Sequence, residues 1–281
     1  MTKHIVGFSG GIDSQACARW VLNRFPKDDV VLLNSDAGGN EHPMTTQFIA
    51  DYSKNIHPVT MVHATVADLG GRAVGKREAL GLKDDDILTF DLLAKLKGRF
   101  PSRMAQFCTE HLKTAPQRRW MHATFPDGDF IRYSGVRRDE SENRKDTPAE
   151  CNDDYFDCHR CNPVFDWTKQ MCFDYVKAHG EAINPLYQLG FNRVGCAPCI
   201  NSGKEDILNW SKRSPDMIDK IRRWEKDVGR TFFKPVVPGM AINWIDDVVV
   251  WAGTVHGGRQ IGLHVLETPK ACYSKYSGLC E

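Results

Sequence analysis

Neither sign of charge predominates in this 281-residue sequence, which has 37 lysines and arginines against 36 aspartates and glutamates. No apolar run approaches the roughly 20 residues that span a bilayer, and there is no fixed-period repeat or low-complexity segment. These absences exclude a coiled coil, a collagen-like chain and wholesale disorder, and we expect no membrane partner. The first residues, MTKHIVGFSGG, lack a basic segment before a long apolar stretch, so we expect no signal peptide and a cytoplasmic location.

Cysteine, by contrast, is abundant, with ten residues in the chain. Disulfides do not persist in a reducing cytoplasm, so metal ligation, iron–sulfur ligation or redox chemistry explains the number better. Cys17 and Cys172 lie in apolar, helix-like segments, and we predict that both are buried core residues.

Short apolar runs alternate with helix-like segments through the first half of the chain. The predicted strands are residues 4–8, 30–33, 58–63 and 130–133. This rhythm predicts an α/β fold with a doubly wound, mostly parallel sheet that binds its ligand at the carboxyl ends of the strands. Glycine-bearing loops follow three of these strands, at residues 9–14, 36–39 and 135–141. We predict a nucleotide-binding α/β domain over residues 1–150, and a cysteine-rich, helical C-terminal part over 151–281 that completes the site.

The segment SGGIDS follows the first strand and opens a helix. Its glycines allow close backbone approach to an anion, and N–H groups at the helix start point at the ligand. Serine hydroxyls add donors, and Asp13 can cap the helix or help to hold a metal on the phosphates. No Gly-Lys-Ser/Thr follows, so this is not a Walker loop. The predicted phosphate-binding residues are Ser9, Gly10, Gly11, Ile12, Asp13 and Ser14.

SGGIDS resembles the SGGxDS motif of the PP-loop ATP pyrophosphatases, the adenine nucleotide alpha-hydrolase-like superfamily. FCTEHLK with Pro116 is similar to the Cys-Thr-x-x-Leu-Lys-x-x-Pro segment of phosphoadenosine phosphosulfate (PAPS) reductase-like proteins. GVRRDES with Arg144 is similar to their Gly-Ile-Arg-x-x-Glu-Ser-x-x-Arg. PVFDWT, NPLY and GCAPC also resemble family segments, and all of them occur in family order between residues 4 and 203. The resemblance implies a PP-loop enzyme that binds ATP or a related adenine nucleotide with Mg²⁺.

The matched motifs also imply roles for single residues. Asp13, Lys113 and Arg137 are the predicted catalytic residues; Asp36, Gly135 and Arg137 join the loop in holding the nucleotide. Arg137 can fork onto phosphate or sulfate oxygens, whereas Asp36 is also explained as a plain turn residue. Residues 95–120 carry seven lysines and arginines against one acid, a local basic segment that suits a polyanionic ligand.

The pair Cys196-x-x-Cys199 resembles the paired-cysteine segment of cluster-containing adenylylsulfate reductases and of phosphorothioation sulfurtransferases. Cys108 corresponds to another cluster ligand there, so these three cysteines are the predicted ligands of a [4Fe–4S] cluster. The matched motifs contain no fourth ligand, and Cys272 and Cys280 are the remote candidates. A cluster on three cysteines with one open iron is an alternative.

A second group of possible ligands lies earlier in the C-terminal half. Cys158-x-x-Cys161, with Cys151 and His159 close by, is spaced like a zinc knuckle. Its combination with the pair at 196 and 199 would give a four-thiolate Zn²⁺ site, which is the alternative to the cluster.

Three functions remain open on this sequence. We favour an enzyme that splits ATP at the α–β bond, releases pyrophosphate and adenylates a nucleic-acid or small-molecule acceptor. Sulfur then enters the acceptor with the help of the cluster. A sulfur-donor protein is a candidate partner that supplies the sulfur. The first alternative is a reductase of adenylylsulfate or phosphoadenylylsulfate, although the chain ends in SGLCE rather than the Glu-Cys-Gly-Leu-His motif of those reductases. The second is a non-catalytic sensor that binds a nucleotide and a cluster.

Overall fold

A six-stranded sheet forms the centre of the computed structural model, which describes residues 2–140, 144–236, 239–240 and 243–254. The strands are β1 (Lys3–Gly7), β2 (Val30–Ser35), β3 (Val59–Val62), β4 (Phe130–Tyr133), β5 (Glu150–Asp153) and β6 (Cys158–Cys161). Their order is β3-β2-β1-β4-β6-β5, and neighbouring strands are parallel except β5 and β6. The predicted mostly parallel α/β sheet is confirmed, and the four predicted strands are β1 to β4.

Helices connect these strands and build most of the C-terminal half. They are α1 (Ile12–Leu22), α2 (Pro43–Asn55), α3 (Val74–Ala79), α4 (Phe90–Lys97), α5 (Phe107–Thr109), α6 (Ala115–Thr124), α7 (Lys169–Ala178), α8 (Lys204–Arg213), α9 (Pro215–Val228) and α10 (Ile245–Ala252). A π-helical turn, Glu110–Thr114, joins α5 to α6. None of the helices in the described ranges is long and apolar enough to cross a membrane.

Three apolar clusters form the core, one on each face of the sheet and one among the C-terminal helices. On the face covered by α1 and α7, Cys17 and Cys172 are fully buried, as predicted. On the face covered by α6, Met121 and Phe130 belong to the same cluster. The third cluster includes Trp224 and joins α8, α9 and α10 to α4. The C-terminal helices therefore extend the apolar core beyond the sheet.

The order of the strands places a crevice at the carboxyl ends of β1 and β4. The chain passes from β1 to β2 and β3 on one side, and then returns to the other side of β1 with β4. Open α/β sheets bind ligands at such a reversal. The loops after β1 and β4 meet here, and a Cβ atom on Gly135 would lie 2.6 Å from the carbonyl carbon of Asp13. Glycine at position 135 is what lets the two loops touch.

Strand β6 separates the two cysteines of the Cys158-x-x-Cys161 pair. Cys158 and Cys161 are three residues apart in β6, and residues at that spacing in a strand face opposite sides of the sheet. Cys158 packs beside Phe130 on the α6 face, whereas Cys161 packs beside Tyr133 on the α1 face. Cys158 and Cys161 therefore present their thiols on opposite faces, and zinc binding by this group of residues stays a prediction.

The predicted division at residue 150 falls at the first residue of β5. Because β6 pairs with β4 and α7 packs on α1, the sheet and its covering layer continue across that position. The two-part division stays a prediction, and any boundary there passes through shared hydrogen bonds.

The close contact at Gly135 leads to a prediction about stability. Gly135→Ala would place a Cβ against backbone atoms that cannot move aside, so we expect the free energy of unfolding to fall by about 1–3 kcal/mol, measured by urea denaturation. Gly71→Ala is the matched control, because a Cβ there has no atom within 4 Å. Equal stability of the two variants would contradict the contact.

Candidate functional site

The SGGIDS loop turns from β1 into α1 and is held by hydrogen bonds from its backbone to hydroxyl groups. Gly10 has a φ of +78°, a conformation that favours glycine. The Ser9 N–H donates to Oγ of Ser14 over 3.2 Å, and the Ile12 N–H donates to the hydroxyl oxygen of Tyr187 over 3.0 Å. The start of α1 thus lies at the carboxyl edge of the sheet, where helix N-termini bind phosphate.

Asp13 and Arg137 form a buried ion pair between the loops after β1 and β4. Nε of Arg137 donates to Oδ1 of Asp13 over 2.7 Å, and the two side chains are 4% and 7% exposed. Nη1 of Arg137 lies 3.3 Å from Oδ2 of Asp139. The carboxylate of Asp13 is therefore engaged by a guanidinium rather than open toward a metal ion.

Asp36 lies in the loop after β2 and is more accessible than Asp13. Its Oδ1 accepts the N–H of Gly39 over 2.8 Å, and its Oδ2 lies 3.2 Å from Nδ1 of His63. The side chain keeps 27% exposure. Both expectations for Asp36 have a basis here, since it stabilises its own turn and also presents an oxygen at the carboxyl edge.

One pocket, called the cavity below, brings together the three cysteines predicted from the family motifs. Cys108, at the start of α5, and Cys196 and Cys199, in the loop before α8, all line it. The other two predicted ligands, Cys272 and Cys280, lie outside the described residues. Three of the five predicted metal ligands thus share one cavity.

The Cys196–Cys199 loop is fastened to the chain that follows β2. The Ala197 N–H donates to the carbonyl of Asn40 over 3.0 Å, and Nδ2 of Asn40 donates to the carbonyl of Pro198 over 2.8 Å. Glu41 pairs with Cys196 in an antiparallel bridge. The cavity is therefore built from the N-terminal sheet region and the C-terminal loop together.

A buried chain of hydrogen bonds connects this cavity to the SGGIDS loop. Nδ2 of Asn184 donates to the carbonyl of Gly10 over 3.2 Å and to the Thr45 hydroxyl over 3.0 Å. The Thr45 hydroxyl donates in turn to the carbonyl of Val194 over 2.5 Å, two residues before Cys196. Asn184, from the NPLY motif, thus links the two predicted sites together with Thr45.

Burial governs the electrostatics of the cavity. It raises the pKa of the Cys108 thiol to about 12 and also raises the pKa of Cys196, which Lys113 partly opposes. Burial alone would lower the pKa of Lys113, but Cys196 and Glu41 outweigh it and raise the pKa above its ordinary value. Lys113 and the Cys196 sulfur thus favour each other's charged forms, and a bound metal would favour the thiolates further.

The predicted basic segment divides into two parts in the structure. Lys97 and Arg99 lie over the Phe107 ring, at 5.6 Å and 5.3 Å from its centroid, next to Cys108. Lys95 instead pairs with Asp227, and Arg119 with Asp68, each over 3.0 Å. Only part of the segment is thus positioned to attract an anion toward the cavity.

Comparison with known proteins gives the same family as the sequence motifs. The phosphoadenosine phosphosulfate reductase domain matches residues 3–202 of the chain. An uncharacterized 37.8 kDa protein of Escherichia phage 186 is 32% identical, over 100% of this chain and 97% of its own.

The chain belongs to the phosphoadenosine phosphosulfate reductase family.

Other family members match over shorter segments. The adenosine 5'-phosphosulfate reductase of Rhizobium tropici is 38% identical over 77 residues, which are 27% of this chain and 43% of that enzyme. The corresponding Streptomyces coelicolor enzyme is 41% identical over 66 residues, 24% of this chain and 28% of its own. The chain thus spans less than half of these reductases. A crystal structure of PAPS reductase from Candida auris superposes with a TM-score of 0.48 and 14% identity, over 70% of this chain and 82% of that one.

Sequence reasoning missed Arg193, which lines the cavity, and Glu41, which pairs with Cys196 beside it. Burial raises the pKa of Glu41 to about 7, an effect that Lys113 opposes. Arg193 lines the cavity, and its Nε and Nη2 are buried without a hydrogen-bond partner among the described residues. The only sequence signal for Arg193 is its position three residues before Cys196; for Glu41 we find none.

The raised pKa of Glu41 predicts a pH-dependent stability. The folded protein holds this proton to a pH of about 7, whereas an unfolded glutamate loses it near its ordinary pKa of 4.5. The folded state therefore loses stability as the pH rises through this interval. We expect Glu41→Gln to become stabilised relative to the wild type between these pH values, measured as the difference in Tm.

Glu78→Gln, at an exposed position of α3, is the matched control and should show a constant difference from the wild type. A pH-independent difference for Glu41→Gln would contradict the buried titration.

Proposed function

We propose that this chain is a PP-loop enzyme that binds ATP, splits it at the α–β bond and transfers sulfur, with the help of a [4Fe–4S] cluster, onto an adenylated acceptor. The observation that carries the proposal is the short buried link from Gly10 through Asn184 and Thr45 to the loop of Cys196. A nucleotide loop and a thiol cavity on one rigid support suit a reaction that first activates an acceptor and then delivers sulfur.

In this proposal the SGGIDS loop holds the phosphates with its backbone and the hydroxyls of Ser9 and Ser14. Asp36 is the better-placed carboxylate for Mg²⁺, because it is more exposed than Asp13, and Mg²⁺ is bound through few carboxylates plus phosphate oxygens. The ion pair with Asp13 fixes the side chain of Arg137, so Asp13 is a positioning residue for Arg137. The loop at Gly135 completes the nucleotide site.

The cavity fits an iron–sulfur cluster better than a single metal ion. Among the described residues, Cys108, Cys196 and Cys199 do not have their sulfur atoms all within 4.8 Å of one another, as ligands of one ion would need. A cluster binds each thiolate to a different iron, so its ligands lie further apart. A thiolate-bound cluster is also anionic, which suits the partnerless nitrogens of Arg193 and the cation of Lys113.

The three cavity cysteines would hold this cluster, with Cys272 or Cys280 as candidates for a fourth ligand. When bound, the cluster would supply electrons or an open iron to which a sulfur atom can bind. A Zn²⁺ ion on Cys196 and Cys199 is the alternative occupant, and the iron measurement below separates the two.

The chemical steps assigned to the protein are activation and charge stabilisation. An acceptor oxygen attacks the α-phosphorus of ATP, pyrophosphate leaves, and a sulfur nucleophile later displaces AMP. Lys113 and Arg137 would stabilise the negative charge that develops. The acceptor is a nucleic acid or a small molecule, a sulfur-donor protein would be the partner, and Lys97 and Arg99 would attract the polyanion.

A second candidate is a reductase of adenosine 5'-phosphosulfate or its 3'-phosphorylated form. The segments shared with the Rhizobium tropici and Streptomyces coelicolor reductases favour it. It would use the same nucleotide site and cluster, but would release sulfite from the substrate with electrons from a thiol.

Turnover assays separate these candidates. With protein purified without oxygen, we expect pyrophosphate release from ATP in the presence of duplex DNA or small-molecule acceptors, and no sulfite from adenosine 5'-phosphosulfate with a thiol reductant. Lys113→Met should lower the rate by roughly 10²-fold, the effect of removing one charge-stabilising group. Lys95→Met is the matched control, because Lys95 is surface-exposed and paired with Asp227.

Sulfite release without pyrophosphate release would replace the proposal by the reductase. The absence of both products, with nucleotide still bound, would contradict either reaction.

The metal content tests the cluster separately. We expect brown protein with about four irons per chain after anaerobic purification, and loss of iron and colour in Cys108→Ser and Cys196→Ser. Cys158→Ser should keep both, because Cys158 lies on β6 and packs on the α6 face of the sheet. Colourless, iron-free protein would contradict the cluster.

A further inference from the structure

The β5–β6 hairpin gathers a second set of metal-binding side chains, away from the cysteine cavity. Glu150 and Cys161 are directly opposite each other in the antiparallel pair, and His159 precedes Cys161 by two residues. Residues two apart in a strand share a face, and so do directly opposed residues. The three side chains therefore project from one side of the hairpin.

The ligand atoms of these three residues are close enough to share an ion. The carboxylate, imidazole and thiol atoms lie within 4.8 Å of one another, and Nε2 of His159 is 3.6 Å from Oε2 of Glu150. Within the described residues this is the one histidine, cysteine and acidic group that meets this limit. We propose that Glu150, His159 and Cys161 form a mononuclear Zn²⁺ site on the edge hairpin.

The donor set favours zinc. One nitrogen, one thiolate sulfur and one carboxylate oxygen are the ligand types that Zn²⁺ takes in proteins, and three protein ligands leave a fourth tetrahedral position for water. The side chains of His159 and Glu150 are 41% and 68% exposed, so they can adjust to the ion and the ion can enter from solvent. Cys161 is half-buried.

The site is separate from the cavity and has a structural consequence of its own. Its ligands lie on β5 and β6, at the opposite end of the sheet from β2 and β3. The Cys161 carbonyl accepts the N–H of Ser134 over 3.1 Å, immediately before Gly135. A zinc ion would join β5 to β6 and thereby hold the strand end that supports the loop after β4. The proposal does not depend on the function proposed above.

Metal binding to the full chain tests it. In a Cys108→Ser, Cys196→Ser, Cys199→Ser background, which removes the three cavity thiols, we expect about one equivalent of Zn²⁺ per chain. Co²⁺ should give the near-ultraviolet thiolate charge-transfer band and strong visible bands of a tetrahedral site. Adding Cys161→Ser should abolish the thiolate band, whereas adding Cys158→Ser, on the opposite face of β6, should leave it unchanged.

A substitution at the surface tests the zinc site with a variant that should keep the fold. Glu150→Gln changes an exposed side chain of the otherwise wild-type protein and should weaken Zn²⁺ binding at the hairpin by on the order of tenfold or more. Asp154→Asn, an exposed acid beyond the end of β5, is its matched control and should not change the affinity. Equal Zn²⁺ affinity in these two variants, or an unchanged Co²⁺ thiolate band in Cys161→Ser, would overturn the proposal.

Discussion

The buried ion pair between Arg137 and Asp13 is the contact on which the carboxyl edge of the sheet depends. Its two members belong to loops that are 124 residues apart in the chain, and those loops touch only because position 135 has no Cβ. Two charges removed from water are stable when each satisfies the other, and the loss of one partner costs about 3–5 kcal/mol. The pair therefore holds the loops after β1 and β4 together. It also occupies the carboxylate of Asp13, which leaves Asp36 as the more accessible acid.

The hydrogen-bonded link through Asn184 extends this order to the cysteine cavity. Asn184 and Thr45 are fully buried, and polar groups in such surroundings hold one geometry when all partners are satisfied. The separation between the SGGIDS loop and Cys196 is consequently set by packed secondary structure. In the proposed reaction, the activated acceptor moves between two fixed points.

The sequence predicted elements that are apolar or motif-bearing and missed those that depend on pairing. Strands β1 to β4 were found because they are buried runs, whereas ECND and CHRC in β5 and β6 are polar strands without a clear period. The three cavity cysteines were found through their motifs. The roles of Glu41 and Arg193 arise from burial beside distant residues, which no local pattern records, and the ion pair of Asp13 could not be derived from its loop alone.

The π-helical turn Glu110–Thr114 helps one short segment to place both Cys108 and Lys113 in the cavity. In an α-helix, with 3.6 residues per turn, residues five apart diverge by about 140° around the axis. The wider turn closes its hydrogen bonds over five residues, so residues at that spacing diverge less around the axis than in an α-helix. Cys108 and Lys113 are five apart and line the same cavity. Deleting one residue from this turn would rotate the ammonium group away from the sulfur atoms while leaving the sequence motif almost intact.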